Sequence, residues 1–143
     1  MLLYLGMCCP YFDPAEPRGA GGSAMLPLGG EWAGLCRAAP GALAQPDEAG
    51  VQGLCNLGYA RGACRRFPAG EGPDAVRFTV RAADETGLRL YYVVERDHHP
   101  FAHGPLEFSR ALGALVNPPE GELLGRQALA YVRSYLRRRA AAA

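Results

Sequence analysis

Ala75-Val-Arg-Phe-Thr-Val-Arg-Ala-Ala-Asp-Glu-Thr-Gly-Leu-Arg-Leu-Tyr-Tyr-Val-Val-Glu95 is the stretch on which the fold turns. Val76, Phe78 and Val80 alternate with Arg77, Thr79 and Arg81, the period-two pattern of a strand with one buried face. Leu88, Leu90, Tyr92 and Val94 repeat the pattern, and Asp84-Glu85-Thr86-Gly87 between the two runs is turn-forming. The spacing predicts an antiparallel hairpin over about 75–95, with strands at 75–82 and 88–95. Two strands alone are marginal in water and must pack on something.

Downstream, Pro118-Pro119-Glu120 predicts the start of a C-terminal helix. Its apolar stripe is Leu124, Ala128, Tyr131, Val132 and Tyr135, with Arg137 to Arg139 at the negative end of the dipole. A shorter helix is expected over 105–115, opened by Pro105 and using Leu106, Leu112 and Leu115. The tail 140–143 is expected to fray. Together these elements predict an α+β single domain over 1–143, with the hairpin and helices in 73–139.

Residues 1–72 read differently, as irregular cysteine-rich loops. All five cysteines lie in the first 64 positions: the pair Cys8-Cys9, then Cys36, Cys55 and Cys64. Free cysteine fills cores well, and disulfides belong to oxidising compartments. The start, Met1-Leu-Leu-Tyr-Leu-Gly-Met7, has no positive region and too short an apolar run for a secretory signal, so the chain is expected in the cytoplasm. No segment has the length or hydropathy of a membrane span. In a reducing compartment, a ligated metal centre explains five cysteines in one half better than bridges do.

The spacing is Cys9-x26-Cys36-x18-Cys55-x8-Cys64. Zinc ribbons and fingers pair ligands at C-x₂₋₄-C, a spacing missing here. Four widely separated single ligands suit a [4Fe–4S] cubane, which takes one thiolate per iron, and a structural zinc is the alternative. Adjacent residues cannot both serve as equivalent ligands of one cubane. Pro10 favours Cys9, because a proline follows ligating cysteines in ferredoxin-type runs, and Cys8 is the alternative. On Cys9-Pro10, Cys36, Cys55 and Cys64 the chain resembles, in a general way, proteins that hold an iron–sulfur cluster on four cysteines.

The glycines of Asn56-Leu-Gly58-Tyr-Ala-Arg-Gly62 permit close backbone approach to such a centre. Tyr11, Phe12, Trp32, Tyr59 and Phe67 are candidates to shield it or to build the core. Arg61, Arg65 and Arg66 bracket Cys64 and would offset the negative charge of a four-thiolate cluster. A short helical turn over Glu31–Cys36 is expected to present Cys36. Pro46-Asp47-Glu48-Ala49 predicts a helical turn running to about Cys55.

Other chemistries are poorly supported. Gly19-x-Gly21-Gly22 lacks the Gly-Lys-Ser/Thr of a phosphate loop and reads as flexible loop. His98, His99 and His103 have no carboxylate motif beside them and read as an exposed loop. No cysteine carries the mark of an activated nucleophile, so no catalytic residue is assigned. The net charge is +1 and there is no lysine among the fifteen basic residues. Arg137-Arg-Arg139 alone does not indicate a nucleic-acid partner. With all four thiolates engaged, no iron would be open to substrate, which points to electron transfer or redox sensing through a protein partner. A zinc-stapled interaction module without redox activity is the alternative.

Overall fold

The structure, a computed structural model, describes residues 8–18, 28–39 and 42–142. The Gly19–Gly22 stretch and the Met1–Met7 segment lie outside the described residues. Two antiparallel sheets and a C-terminal helix make up a small mixed α/β domain. The first sheet has the order β1 (Phe12–Pro17), β2 (Trp32–Ala39), β3 (Ala42–Ala44). The second has the order β4 (Ala75–Ala83), β5 (Gly87–Arg96), β6 (His99–Ser109), β7 (Ala114–Leu115). Between them, α1 (Glu48–Gly50) runs into a π-helical segment, Val51–Cys55. The C-terminal helix is α2 (Glu122–Ala142).

The hairpin is present where the alternation placed it. Val76 pairs with Val94, Phe78 with Tyr92 and Val80 with Leu90, so apolar residues face one another along one side. Asp84 closes the turn by accepting from the Thr86 and Gly87 N–H groups at 2.8 and 3.0 Å. The strand continues into a second hairpin in which Leu88 pairs with Phe108 and Leu90 with Leu106. Asp97 and His98 make its two-residue turn, both at positive φ (51° and 63°), which matches the right-handed twist of the flanking strands.

Residues 105–115 are therefore β6 and β7 with a turn between them, and not the expected helix. Leu106 and Phe108 are buried while Glu107 is exposed, a period-two pattern too short to stand out beside Pro105. Pairing to β5 satisfies backbone groups that a helix opened by Pro105 would have satisfied locally. Nor are the described residues of the N-terminal half all irregular: they include three strands and the α1–π-helical segment, with turns and loop over 56–74. Glu31–Cys36 forms no helical turn; Trp32–Ala39 is a strand between β1 and β3. Gly34 explains why: a Cβ built there would lie 2.0 Å from the Asp13 carbonyl oxygen, so only glycine lets β1 and β2 approach. The alanines expected to fray at 140–143 continue the helix as far as Ala142.

One core joins the two halves. Phe12, Leu28 and Trp32 from the first, Val76, Phe78, Leu88, Leu90, Leu106 and Phe108 from the second sheet, and Ala128, Ala130 and Val132 from α2 form a continuous buried cluster. Burial of a side chain of this size stabilises by about 1.5–3 kcal/mol before ordering costs. Leu124, Tyr131 and Tyr135 of the expected α2 stripe pack against that cluster, and the Tyr131 ring lies 5.6 Å from Phe78. No helix among the described residues is long and apolar enough to cross a membrane.

Candidate metal centre

Cys8 and Cys9 are both buried in the core cluster, but of the two only Cys9 also lines the neighbouring cavity. Cys8 bridges to β4: its N–H donates to the Val76 carbonyl at 2.6 Å, and Val76 N–H donates back at 2.8 Å. That bridge sends the Cys8 side chain into the core, where it is fully buried. Phe12 N–H donates to the Cys9 carbonyl at 3.1 Å, closing a turn with Pro10 at its second position. Proline is favoured there for its fixed φ, so Pro10 has a turn-forming reason to follow Cys9.

The other three cysteines come from three further segments. Cys36 lies in the middle of β2, paired with Phe12 on one side and Ala44 on the other. Cys55 ends the π-helical segment, and its carbonyl accepts from Cys9 N–H at 3.0 Å. Asp47 starts this segment as the cap of α1, accepting from Gly50 N–H at 2.7 Å. Cys64 closes a helical turn through its N–H to the Ala60 carbonyl at 2.8 Å.

These folds bring Cys9, Cys36, Cys55 and Cys64 to the wall of one cavity of about 230 Å³. Tyr11, Phe12, Pro46 and Leu54 add apolar wall, and Asp47, Arg65 and Arg66 add charge. The Cys9 thiol is pushed up to about 12, chiefly by burial; a hydrogen bond from the Tyr11 main chain opposes the shift, and the neighbouring Cys55, Cys36 and Cys64 contribute to it. Burial likewise pushes Cys55 up to about 11, with Cys36 and Cys64 adding and Arg66 opposing. Without an added cation, the site therefore keeps these thiols protonated. Among the described residues, no three or more His, Cys, Asp or Glu side chains converge as ligands of a single ion.

Three buried polar side chains hold this wall in place, and none stood out in the sequence. Gln127 of α2 donates to the carbonyls of Cys9 (3.0 Å) and Phe12 (2.7 Å). Asn56, next to Cys55, accepts from Trp32 N–H and donates to the Trp32 and Val51 carbonyls, each at 2.9 Å. Ser134 accepts from the Trp32 indole at 2.9 Å. Gln127 and Ser134 stand two helical turns apart on the apolar face of α2, which is the signal they left.

Several expected neighbours lie elsewhere. Arg61 is bound to Asp74 at 2.8 Å and to the Gly70 carbonyl at 2.7 Å, so it braces the 61–74 loop. Tyr59 donates to Glu95 at 2.6 Å and stacks on His98, with ring centroids 4.2 Å apart. Trp32 is buried in the core, while Phe67 packs edge-on against Tyr11 at 5.4 Å. The histidines do not form the single loop expected between hairpin and helix. His98 sits in the β5–β6 turn, His99 opens β6, and His103 bonds Tyr91 from within β6. No family model, curated protein or solved structure matches the chain.

Proposed function

We propose that the chain binds a [4Fe–4S] cluster through Cys9, Cys36, Cys55 and Cys64 and works in electron transfer or redox sensing with a protein partner. The observation that carries this reading is the shared cavity: four thiols from four separate segments wall one space. The cavity, near 230 Å³, has room for a group larger than a single ion. A lone zinc needs its sulfurs at about 2.3 Å, closed onto a point. The Cys9–Phe12 turn supplies the Tyr11 main chain as a hydrogen-bond donor to the Cys9 sulfur, and such groups tune cluster potentials. With every iron held by a protein thiolate, the cluster would carry electrons and leave no open site for substrate. A reducing compartment such as the cytoplasm would keep the thiols available.

Anaerobic purification, or reconstitution with ferrous iron and sulfide, tests this. The expected product is brown, with about four irons and four acid-labile sulfides per chain and a reversible one-electron couple. About one zinc per chain and no colour would replace the cluster with a structural staple.

A further inference from the structure

Three of the four ligand segments are tied to one another by hydrogen bonds. Cys9 N–H donates to the Cys55 carbonyl at 3.0 Å. Asn56, the residue after Cys55, bonds both main-chain groups of Trp32 in β2 at 2.9 Å. Further along β2, Cys36 pairs with Phe12, and Arg37 N–H donates to the Tyr11 carbonyl at 2.9 Å, which leads back to the Cys9–Phe12 turn. These bonds close a ring through Cys9, Cys36 and Cys55. Cys64 stands outside it. Its N–H donates to the Ala60 carbonyl at 2.8 Å and its carbonyl accepts from Phe67 N–H at 3.2 Å, both within its own loop. That loop is braced from elsewhere, by Tyr59 N–H on the Asp74 carbonyl at 3.0 Å and by Arg61 on the Asp74 carboxylate at 2.8 Å, just ahead of β4. Among the described residues no hydrogen bond joins 60–69 to the ring, and an apolar contact, Phe67 edge-on to Tyr11, takes its place. Cys36 and Cys55 are half-buried as Cys64 is, so attachment and not exposure sets Cys64 apart from them.

We propose that Cys64 is the releasable ligand of the centre: a one-electron oxidant makes the cluster give up the iron on Cys64, while Cys9, Cys36 and Cys55 keep the other three. This deepens the reading of the cavity as a [4Fe–4S] site, rests on it, and makes the site an oxidant sensor. The doubly positive four-iron core passes one electron to the oxidant. The triply positive core then breaks the bond from the Cys64 sulfur to its iron and that iron's bonds to sulfide. One ferrous ion leaves, and a singly positive three-iron core keeps all four sulfides, so charge and atoms balance. The freed Cys64 thiolate takes a proton from water, the reverse of the deprotonation that binding requires. Segments held by few tertiary contacts open at lower free energy than segments bound into the core. The ligand on the separately braced loop can therefore withdraw without disturbing the ring that holds the other three.

The test treats anaerobically reconstituted chain with an equimolar amount of ferricyanide and then with iodoacetamide. Iron, sulfide, the electron paramagnetic resonance spectrum and the alkylated positions are read on the same sample. The expected result is loss of about one iron in four with sulfide retained, the paramagnetic signal of an oxidised three-iron cluster, and alkylation of Cys64 with Cys9, Cys36 and Cys55 protected. Ferrous iron and dithiothreitol, added in place of the alkylating agent, should restore the fourth iron. Cys64→Ala should assemble a three-iron centre directly, whereas Cys36→Ala and Cys55→Ala should hold no cluster. The alkylation pattern comes from the unsubstituted chain, so it decides the matter even where a variant misfolds. Chain that takes up neither iron nor sulfide sinks the cluster and its releasable ligand together. Iron-loaded chain that keeps all its iron under ferricyanide, loses it all at once, or is alkylated first at another ligand overturns the role of Cys64 and leaves the cluster standing.

Discussion

Two adjacent residues with the same side chain do different things here. Cys8 is locked into the core by its bridge to Val76, while Cys9 is turned toward the cavity by the proline turn that follows. Their substitutions should separate cleanly. Cys8→Ser places an unpartnered hydroxyl in a buried apolar position and should lower stability by about 1–3 kcal/mol in urea melts, while iron content stays at the wild-type level. Cys9→Ser should do the reverse, with loss of the cluster and a smaller change in the stability of the metal-free chain. Loss of iron in the Cys8 variant alone would exchange their roles. The sequence offered only Pro10 to decide between them. Proline has a turn-forming reason to be there, so the stronger argument is the cavity wall, which Cys9 lines and Cys8, bridged to Val76, does not.

At the scale of elements, local periodicity proved a good guide only where a strand is long and alternates strictly. The β4–β5 hairpin was legible because Val76, Phe78 and Val80 face Val94, Tyr92 and Leu90, with the polar Arg77 and Thr79 alternating on the first strand. In β2, Ala33, Gly34 and Ala38 dilute any pattern, and its strand character comes from pairing with β1, more than a dozen residues away in sequence. Gly34 is the position on which that pairing depends. Gly34→Ala would drive a methyl group into the Asp13 carbonyl, and the strands would have to separate. The expected cost is about 1–3 kcal/mol. Because Cys36 lies two residues on, iron retention should fall although no thiol is touched. Unchanged melting and full iron content would show that β1 and β2 tolerate more space than this register allows.

Over the whole molecule, α2 ties the C-terminal end of the chain to the cysteine wall through Gln127 and, by way of Trp32, through Ser134. Stability and the state of the thiols are therefore linked. In the metal-free chain Cys9 and Cys55 titrate higher folded, at about 12 and about 11, than the ordinary value of 9.0. Above pH 9 the unfolded chain releases protons that the folded chain still holds, so stability falls as pH rises from 9 toward 12. Urea midpoints of the metal-free chain should drop across that window and stay flat, as far as these groups are concerned, below it. Cluster-loaded chain, whose thiolates are already deprotonated by iron, should lack this drop. A metal-free midpoint that holds steady to pH 11 would mean that the thiols are less buried than the cavity wall places them. By itself the sequence determined the hairpin, the C-terminal helix, the capped turn before Cys55 and the identity of the candidate ligands, because each is written in local periodicity, capping residues or residue type. Only the tertiary structure decided that Cys9, and not Cys8, faces the cavity, that 105–115 is strand, and that Gln127, Asn56 and Ser134 hold the wall. Those outcomes rest on hydrogen bonds between segments far apart in the chain, which no local pattern encodes.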